Sequence, residues 1–322
     1  MSRRQFLQLT AGVTVSAGLA GCADTGAPDP APVVADHVAA RTSPRPPAQP
    51  TPSTPAAPSV TATAPPFMGM VPVLMHHRLV DGESGTYDMT PQFFRAELER
   101  LYREKYHPIR TIDLARGNFS TVPAGKTPVV LTFDDSSPRQ FAVDARGRVD
   151  PQSALGIMLD FQRRHPDFPA VASFYINQNP FGYRGADVAR ALRKLEELDC
   201  EIGNHTLTHP NLRSLSDAEV QAELGGLSAL VAAAGVPPPR TLALPLGVHP
   251  RRRSLLAQGG SGPTAYRNEG VLLVGANPAP SSYRKDFDPM AIPRIRCSSH
   301  AGGKGALEMA YWLDRLRRDT SR

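Results

Sequence analysis

Short apolar runs alternate with longer segments of helical periodicity from residue 67 onward. Short runs bounded by turn-forming residues are typical of buried strands, and those here predict strands over Val71–Met75, Val129–Phe133, Val171–Ile176, Cys200–Gly203, Thr241–Leu244 and Val271–Val274. The longer segments predict a helix opening at Thr90-Pro91-Gln92 and helices over Ser153–Arg164, Ala186–Leu198, Asp217–Ala234 and Leu307–Arg317. Strands that alternate with helices favour a parallel α/β sheet or barrel.

The first 22 residues have the pattern of an export signal. Arg3 and Arg4 precede the apolar stretch Leu9–Ala20, which is shorter than the roughly 20 residues needed to span a bilayer. The arginine pair resembles a twin-arginine signal. The run ending at Cys22 resembles a bacterial lipobox, in which the cysteine carries the lipid. Plain secretion with an incidental cysteine is the alternative, and both readings place the protein outside the cytoplasm.

Residues 23–66 are predicted to be a disordered spacer. Twelve prolines lie between Ala27 and Pro66, with almost no large apolar side chains, so the segment cannot form a core. The chain therefore divides into a signal (1–22), a linker (23–66) and one folded domain (67–322). We expect an exported, membrane-anchored lipoprotein that faces the periplasm or the cell exterior.

Charge and cysteine content narrow the function classes. The net charge is +6, but no basic run is interleaved with aromatic residues, so nucleic acid is not an expected partner.

Three cysteines are present, and if Cys22 carries lipid, Cys200 and Cys297 remain. Two cysteines in an exported chain are able to pair but do not establish a disulfide. We expect a monomer.

Asp134 and Asp135 directly follow the predicted strand Val129–Phe133. Sites in parallel α/β proteins lie at the carboxyl ends of strands. Neighbouring residues of a strand point to opposite faces, but a break at Ser136-Ser137-Pro138 would let both carboxylates turn toward one pocket. A helix cap or an ordinary turn is the alternative for an isolated Asp-Asp pair.

A second polar group, His205 and His209, follows another predicted strand end. Histidines four residues apart can share one side of a helical turn, and two histidines with a carboxylate form a metal-ligand set. A divalent cation would also relieve the repulsion between the two aspartates. Three protein ligands leave positions open for water and substrate, as in catalytic metal sites.

Thr132-Phe133-Asp134-Asp135 and His205-Thr206-x-x-His209 resemble the first two motifs of the polysaccharide deacetylases, the NodB-homology group of carbohydrate esterase family 4. The resemblance covers about residues 70–300. It implies a distorted (β/α) barrel that removes acetyl groups from an N-acetylated polysaccharide or peptidoglycan by cleaving the C–N amide bond. It also implies that Asp134 is the general base and that Asp135, His205 and His209 bind one divalent metal ion. Zn²⁺ is the expected metal, and Co²⁺, Ni²⁺ or Fe²⁺ suit the same ligands.

The third motif departs from the family pattern. Where the family has Arg-x-Pro-Tyr-Gly, this chain has Ala243-Leu244-Pro245-Leu246-Gly247. We therefore expect the arginine that orients the base to be missing, while the backbone N–H of Leu246 remains available as the oxyanion donor. Ser136 also replaces the glycine that commonly follows Asp-Asp.

The family's final motif, Leu-x-x-His, is not found near the carboxyl terminus, whereas Leu74-Met75-His76-His77, near the start of the domain, fits it. This position resembles the poly-N-acetylglucosamine deacetylase branch and implies that His77 is the general acid. His76 and His300 are the competing candidates. Two other functions stay open, namely a non-catalytic glycan-binding protein on the same fold and an esterase acting on O-acetylated, xylan-type glycans.

Overall fold

The computed structural model describes residues 67–82, 85–275, 277–300 and 308–320. The predicted signal, Cys22, the linker and Leu307 lie outside these residues. None of the helices described here is both long enough and apolar enough to cross a membrane.

The predicted helices and strands occur in the predicted order, with boundaries shifted by one or two residues in most cases; further elements, among them the strand Tyr106–Ile109 and the helix Thr111–Arg116, were not predicted. The strands are β1 (Met70–Val71), β2 (Val73–His76), β3 (Arg78–Leu79), β4 (Asp88–Met89), β5 (Tyr106–Ile109), β6 (Thr127–Phe133), β7 (Ser173–Ile176), β8 (Glu201–Asn204), β9 (Thr241–Ala243), β10 (Gln258–Gly259), β11 (Tyr266–Arg267), β12 (Gly270–Leu272), β13 (Ala279–Pro280) and β14 (Ile295–Arg296). The helices are α1 (Pro91–Arg103), α2 (Thr111–Arg116), α3 (Ala154–Arg164), α4 (Ala186–Glu197), α5 (Asp217–Ala233) and α6 (Met309–Thr320).

One parallel sheet organises the domain. Its strands run in the order β12-β9-β8-β7-β6-β2-β14, and β5 also pairs with β6. The segment 292–296 bridges the two ends, because Ile292 pairs with Leu272 of β12 while Ile295 pairs with Leu74 of β2. The sheet therefore curls into an incomplete barrel, and the predicted distorted (β/α) barrel is confirmed.

The two faces of the sheet have different partners. Along β6, Leu131 and Phe133 point outward into the core shared with the helices, whereas Val130 belongs to the cluster inside the barrel. This period of two continues past the end of the strand, so Asp134 falls on the inner face. In β2 the same alternation turns His76 outward, and the next residue, His77, falls on the inner face.

Capping side chains set where the helices begin. Thr90 accepts a hydrogen bond from the Phe93 N–H at the start of α1, and Ser153 accepts one from Gly156 at the start of α3. Ser216 and Glu219 form a capping box on α5. Gly235 follows that helix with φ of 76°, a left-handed conformation that a glycine adopts without strain.

Cys200 and Cys297 are both buried free thiols. The disulfide that the sequence left open is not formed between them in this structure.

Candidate active site

A cavity of about 360 Å³ opens at the carboxyl ends of the central strands. Its lining contains every side chain that the sequence assigned to metal binding or catalysis, together with the loop between β3 and β4. The lining residues are His77, Arg78, Gly85, Thr86, Tyr87, Asp88, Asp134, Asp135, His205, His209, Leu244, Leu246 and Val274. A cavity of this size and position is typical of ligand sites in parallel α/β proteins.

The turn after β6 brings both aspartates into this cavity. Asp135 and Ser136 have φ of 70° and 46°, so the backbone reverses into the left-handed region directly after the strand. Ser136 stabilises the turn, since its Oγ accepts the Asn177 N–H at 3.2 Å and its carbonyl oxygen accepts the Phe181 N–H at 2.7 Å. The serine thus occupies a conformation that favours glycine, and these two bonds hold it there.

Asp135, His205 and His209 converge on one point. Asp135 Oδ1 lies 3.3 Å from His205 Nε2 and 3.6 Å from His209 Nε2. His205 Nδ1 lies 2.8 Å from the Ala243 carbonyl oxygen, which can only accept, so this nitrogen carries a proton; whenever the ring is neutral, its Nε2 lone pair faces the carboxylate. Two facing acceptors require a proton or a cation between them. The donor types and the carbonyl behind His205 therefore fit a divalent metal site.

The prediction that the two histidines share one helical turn is wrong. Residues 205–211 form an irregular loop, in which Thr206 and His209 have φ of 65° and 58°. Asn204 and Thr206 hold the loop with their own side chains: Asn204 Oδ1 accepts the Thr206 N–H at 2.8 Å, and Thr206 Oγ1 accepts the His209 N–H at 3.0 Å. Side-chain-to-backbone bonds of this kind replace the helical ladder and still align both rings.

Asp134 is bound by an arginine that the sequence reading did not find. Arg294 donates from its two terminal nitrogens to both carboxylate oxygens of Asp134, at 2.8 and 2.7 Å, and both residues are buried. The expectation that an orienting arginine is missing is therefore wrong for the folded protein. Arg294 lies in the segment that closes the barrel, which brings it to the end of β6 although it is remote from the third motif in the chain.

The ion pair determines the protonation state of Asp134. Burial raises the pKa of this carboxyl group, but the charges of Arg294 and His205 and the hydrogen bonds from Arg294 outweigh burial and hold the pKa well below its ordinary value. Asp134 is therefore ionised although it is buried. For Asp135, burial again raises the pKa, and the contact with His205 more than reverses that effect.

His77 lies on the cavity wall and His76 does not. The His77 ring lies 4.8 Å from the Tyr87 ring, and its Nδ1 has no hydrogen-bond partner in the described part of the chain. Burial lowers the pKa of His77, although the charges of Asp134 and Asp135 act in the opposite direction. Gln140 ties this end of β2 to the end of β6, because its amide nitrogen donates to the carbonyl oxygens of His77 and Asp134.

The remaining candidates occupy different positions. His76 is fully buried on the outer face, and its Nε2 lies 2.7 Å from Glu97. His300 does not contribute to the cavity lining. Leu246 is 60 % exposed at the cavity edge and has φ of 58°, in the turn that follows β9. The third-motif segment thus reaches the cavity, as predicted.

Comparisons with known proteins agree with this architecture. The sequence profile of the polysaccharide deacetylase family matches residues 121–259, which is less than half of the chain and contains Asp134, Asp135, His205, His209 and Leu246. No curated protein matches the chain in sequence.

Three solved structures share the fold. The Streptococcus pyogenes deacetylase PplD, in complex with acetate, is 17 % identical over 72 % of this chain and 93 % of its own, with a TM-score of 0.53. A polysaccharide deacetylase from Bacillus cereus is 16 % identical over 78 % of this chain and 69 % of its own, with a TM-score of 0.53. A de-N-acetylase from Aggregatibacter actinomycetemcomitans is 14 % identical over 77 % of this chain and 100 % of its own, with a TM-score of 0.52.

Proposed function

We propose that this chain is a polysaccharide deacetylase that removes acetyl groups from the amide nitrogens of an N-acetylated extracellular or cell-wall glycan with the help of a divalent metal ion. The observation that carries the proposal is the division of the two adjacent carboxylates. Asp135 faces two histidines, whereas Asp134 is ionised and fixed by Arg294, with His77 on the wall of the same cavity. One cavity thus contains a ligand set, a base and an acid.

Asp135, His205 and His209 would hold the metal. One carboxylate and two imidazoles are a set that zinc accepts, and cobalt, nickel or ferrous iron suit it as well. Bound there, a divalent cation polarises the amide carbonyl and makes water a better acid. Asp135 and His209 are partly exposed, so a metal ion bound at this site would be able to exchange with ions in the solvent.

Asp134 would take the proton from the attacking water. It lies next to Asp135 in the chain and shares the cavity, and Arg294 binds both of its oxygens in a fixed plane. The same arginine makes Asp134 a weak base, which suits proton transfer only from a strongly acidified water. Arg294 also donates to the Leu273 carbonyl oxygen at 2.8 Å, so its own position is fixed.

His77 and Leu246 would act on the other atoms of the amide. An amine nitrogen leaves poorly unless protonated, and His77 is an imidazole on the cavity wall with a free Nδ1. The Leu246 N–H would donate to the carbonyl oxygen as negative charge develops on it. Asp134 would thus remove the proton from water, Leu246 would stabilise the developing charge and His77 would deliver a proton to the nitrogen.

An assay of acetate release separates this function from its rivals. The substrates are N-acetylated glycans, peptidoglycan and O-acetylated xylan, each with and without added divalent metal. We expect acetate and new free amines in equal amounts from an N-acetylated glycan, with loss of both after chelation or in Asp134→Asn. Acetate from xylan alone would reassign the protein to the esterases, and no acetate from any substrate would support a non-catalytic glycan-binding role. That last role was suggested by the altered third motif, and Arg294 supplies the arginine that this motif lacks.

We further propose that the protein is a membrane-anchored lipoprotein with Cys22 as its lipidated residue. The support is the sequence pattern alone, with the arginine pair before an apolar stretch and a lipobox that ends at Cys22. Cys22→Ser should move the protein from the membrane fraction to the soluble exported fraction, and Arg3→Lys with Arg4→Lys should block export. Unchanged fractionation of Cys22→Ser would contradict the anchor.

A further inference from the structure

A second group of metal-ligating side chains lies on the outer face of β2, opposite to His77. It consists of His76 at the end of β2, Glu97 in α1 and Cys297 directly after β14, whose donor atoms all lie within 4.8 Å of one another. The three residues are 0 %, 2 % and 1 % exposed. We propose that His76, Glu97 and Cys297 form a separate, buried site for a divalent transition metal of the zinc type.

The orientation of His76 supports a metal ligand. Its Nδ1 lies 3.0 Å from the Thr132 carbonyl oxygen, an acceptor, so Nδ1 carries the proton. Nε2 lies 2.7 Å from Glu97 Oε1, a hydrogen bond that holds one proton in the metal-free state, and loss of this proton would leave both lone pairs directed at one point. A backbone carbonyl behind one nitrogen, with a ligating lone pair on the other, is the usual arrangement of metal-bound histidine.

Glu97 supplies the second observation. Its Oε2 is buried and accepts no N–H or O–H hydrogen bond within the described residues. Burial raises the pKa of the Cys297 thiol, and the charge of Glu97 and its hydrogen bond with the thiol raise it further, so in the metal-free state the thiol proton faces this carboxylate. A metal ion would take the place of that proton between the sulfur and the carboxylate. A carboxylate that binds through both oxygens, with one imidazole nitrogen and one sulfur, completes four coordination without a water molecule.

Charge and distance are compatible with this ion. A thiolate and a carboxylate together neutralise a divalent cation, and the imidazole adds no charge, so the site has no net charge in an apolar interior. The rings of Phe94 and Phe133 lie 5.6 and 4.8 Å from the His76 ring and form an apolar wall on this side of the site. Two ligands of one zinc ion are separated by roughly 4 Å, because each lies about 2.0–2.3 Å from the metal. Small side-chain adjustments would bring the three donors into this range.

The metal would join three elements that are distant in sequence. β2 carries His77 at its end, α1 covers the outer face of the sheet, and the barrel-closing segment carries Arg294 three residues before Cys297. The metal-free alternative is a His76–Glu97 hydrogen bond that holds one proton, beside a neutral thiol. Both arrangements balance charge, but only one contains a metal–sulfur bond.

Cobalt loading of the full chain tests the proposal. Thiolate-to-cobalt charge transfer gives near-ultraviolet absorption, which the proposed catalytic site cannot produce because its ligands are oxygen and nitrogen. We expect two equivalents of cobalt per chain, the charge-transfer band, and survival of the band after a brief chelator treatment that removes the ion from the more exposed Asp135 site. Cys297→Ser should lose the band and one equivalent, and Glu97→Gln should weaken both.

Matched variants make the outcome specific. Cys200→Ser replaces the other buried thiol, and Cys22→Ser removes the N-terminal one; both should keep the band. His205→Ala should lose the catalytic equivalent and keep the band, so this proposal and the proposed function can fail independently. A wild-type chain without the band, or a band that persists in Cys297→Ser, would overturn the site. If Cys297→Ser does not fold, the wild-type spectrum and stoichiometry decide alone.

Discussion

Arg294 and Asp134 are 160 positions apart in the chain and form a buried ion pair with two parallel hydrogen bonds, at 2.8 and 2.7 Å. The pair exists because residues 292–296 bridge the two ends of the curled sheet and place Arg294 beside the end of β6. Arg294 supplies the positive charge and the two hydrogen-bond donors that Ala243, at the arginine position of the third motif, lacks. The orientation of the proposed base therefore depends on barrel closure.

Removal of this arginine should strongly destabilise the fold. Arg294→Met leaves the Asp134 carboxylate buried without a counter-charge, which typically costs about 3–5 kcal/mol. The double variant Arg294→Met, Asp134→Asn removes both charges and should recover most of that loss. Urea unfolding of the three proteins measures the difference. Equal stability of the single variant and the wild type would mean that Asp134 is not held by Arg294 in solution.

Substitution of the proposed metal ligands should separate binding from turnover. His205→Ala or His209→Ala leaves two of three ligands, so stoichiometric metal should be lost from this site. Asp134→Asn should keep the metal and lose turnover, because the amide cannot take a proton from water. Elemental analysis after removal of loosely bound ions, with the acetate assay, provides both readouts. Loss of this metal in Asp134→Asn, with retention in an Asp135→Asn variant, would mean that the roles of the two aspartates are reversed.

Local patterns were sufficient to predict five of the helices and most strands of the main sheet, but not α2, β5 or β14, and the barrel was expected from the family resemblance. The period of two along β2 and β6 even explains why His77 and Asp134 face inward while His76 faces outward. The turn after β6 was predicted from Ser136-Ser137-Pro138, but the left-handed conformation of Asp135 and Ser136 depends on bonds to Asn177 and Phe181, which lie on a different loop.

Two features were beyond the reach of local patterns. The loop of His205 and His209 uses bonds from Asn204 and Thr206 instead of a helical turn, and spacing alone does not distinguish the two. Arg294 was missed because its pairing is a long-range consequence of barrel closure. Its flanking residues Ile292 and Ile295 are the only local signal, since an arginine between buried isoleucines is itself expected to be buried and paired.

The ion pairs of Glu269 should make the free energy of unfolding depend on pH. Glu269 accepts hydrogen bonds from Arg116 of α2 and from Arg240 just before β9, and these contacts lower its pKa from 4.5 to about 2 despite partial burial. Because the folded-state pKa is depressed, the stabilisation is complete above the ordinary pKa and is lost as pH falls toward the folded value. Glu269→Gln should therefore destabilise the protein by about 1 kcal/mol near neutral pH.

The destabilisation in Glu269→Gln should shrink steadily between about pH 5 and about pH 2, as the wild-type carboxylate takes up its proton. Urea unfolding at several pH values measures this difference. Glu196→Gln, at an exposed position of α4, is the control and should change little at any pH. A Glu269→Gln effect that does not vary with pH would indicate a packing defect.

The decrease in turnover caused by removing the proposed general acid should depend on the leaving group of the substrate. His77→Asn keeps a polar side chain on the cavity wall but cannot deliver a proton, so kcat on an N-acetylated glycan should fall roughly 10²–10⁴-fold. Metal content at the Asp135 site should be unchanged, since His77 is not one of the proposed ligands. Hydrolysis of an aryl acetate should fall far less, because its leaving group departs without protonation.

His300→Asn is the control for this experiment, since His300 lies outside the cavity lining. His76→Asn is unsuitable, because it disrupts a buried contact with Glu97. Equal losses on the amide and on the aryl ester in His77→Asn would indicate that His77 shapes the cavity and does not supply the proton. Normal turnover in His77→Asn together with a large loss in His300→Asn would return the general acid to the carboxyl-terminal end of the domain. The ratio of the two substrates therefore distinguishes proton delivery from a structural role, which turnover on one substrate alone does not.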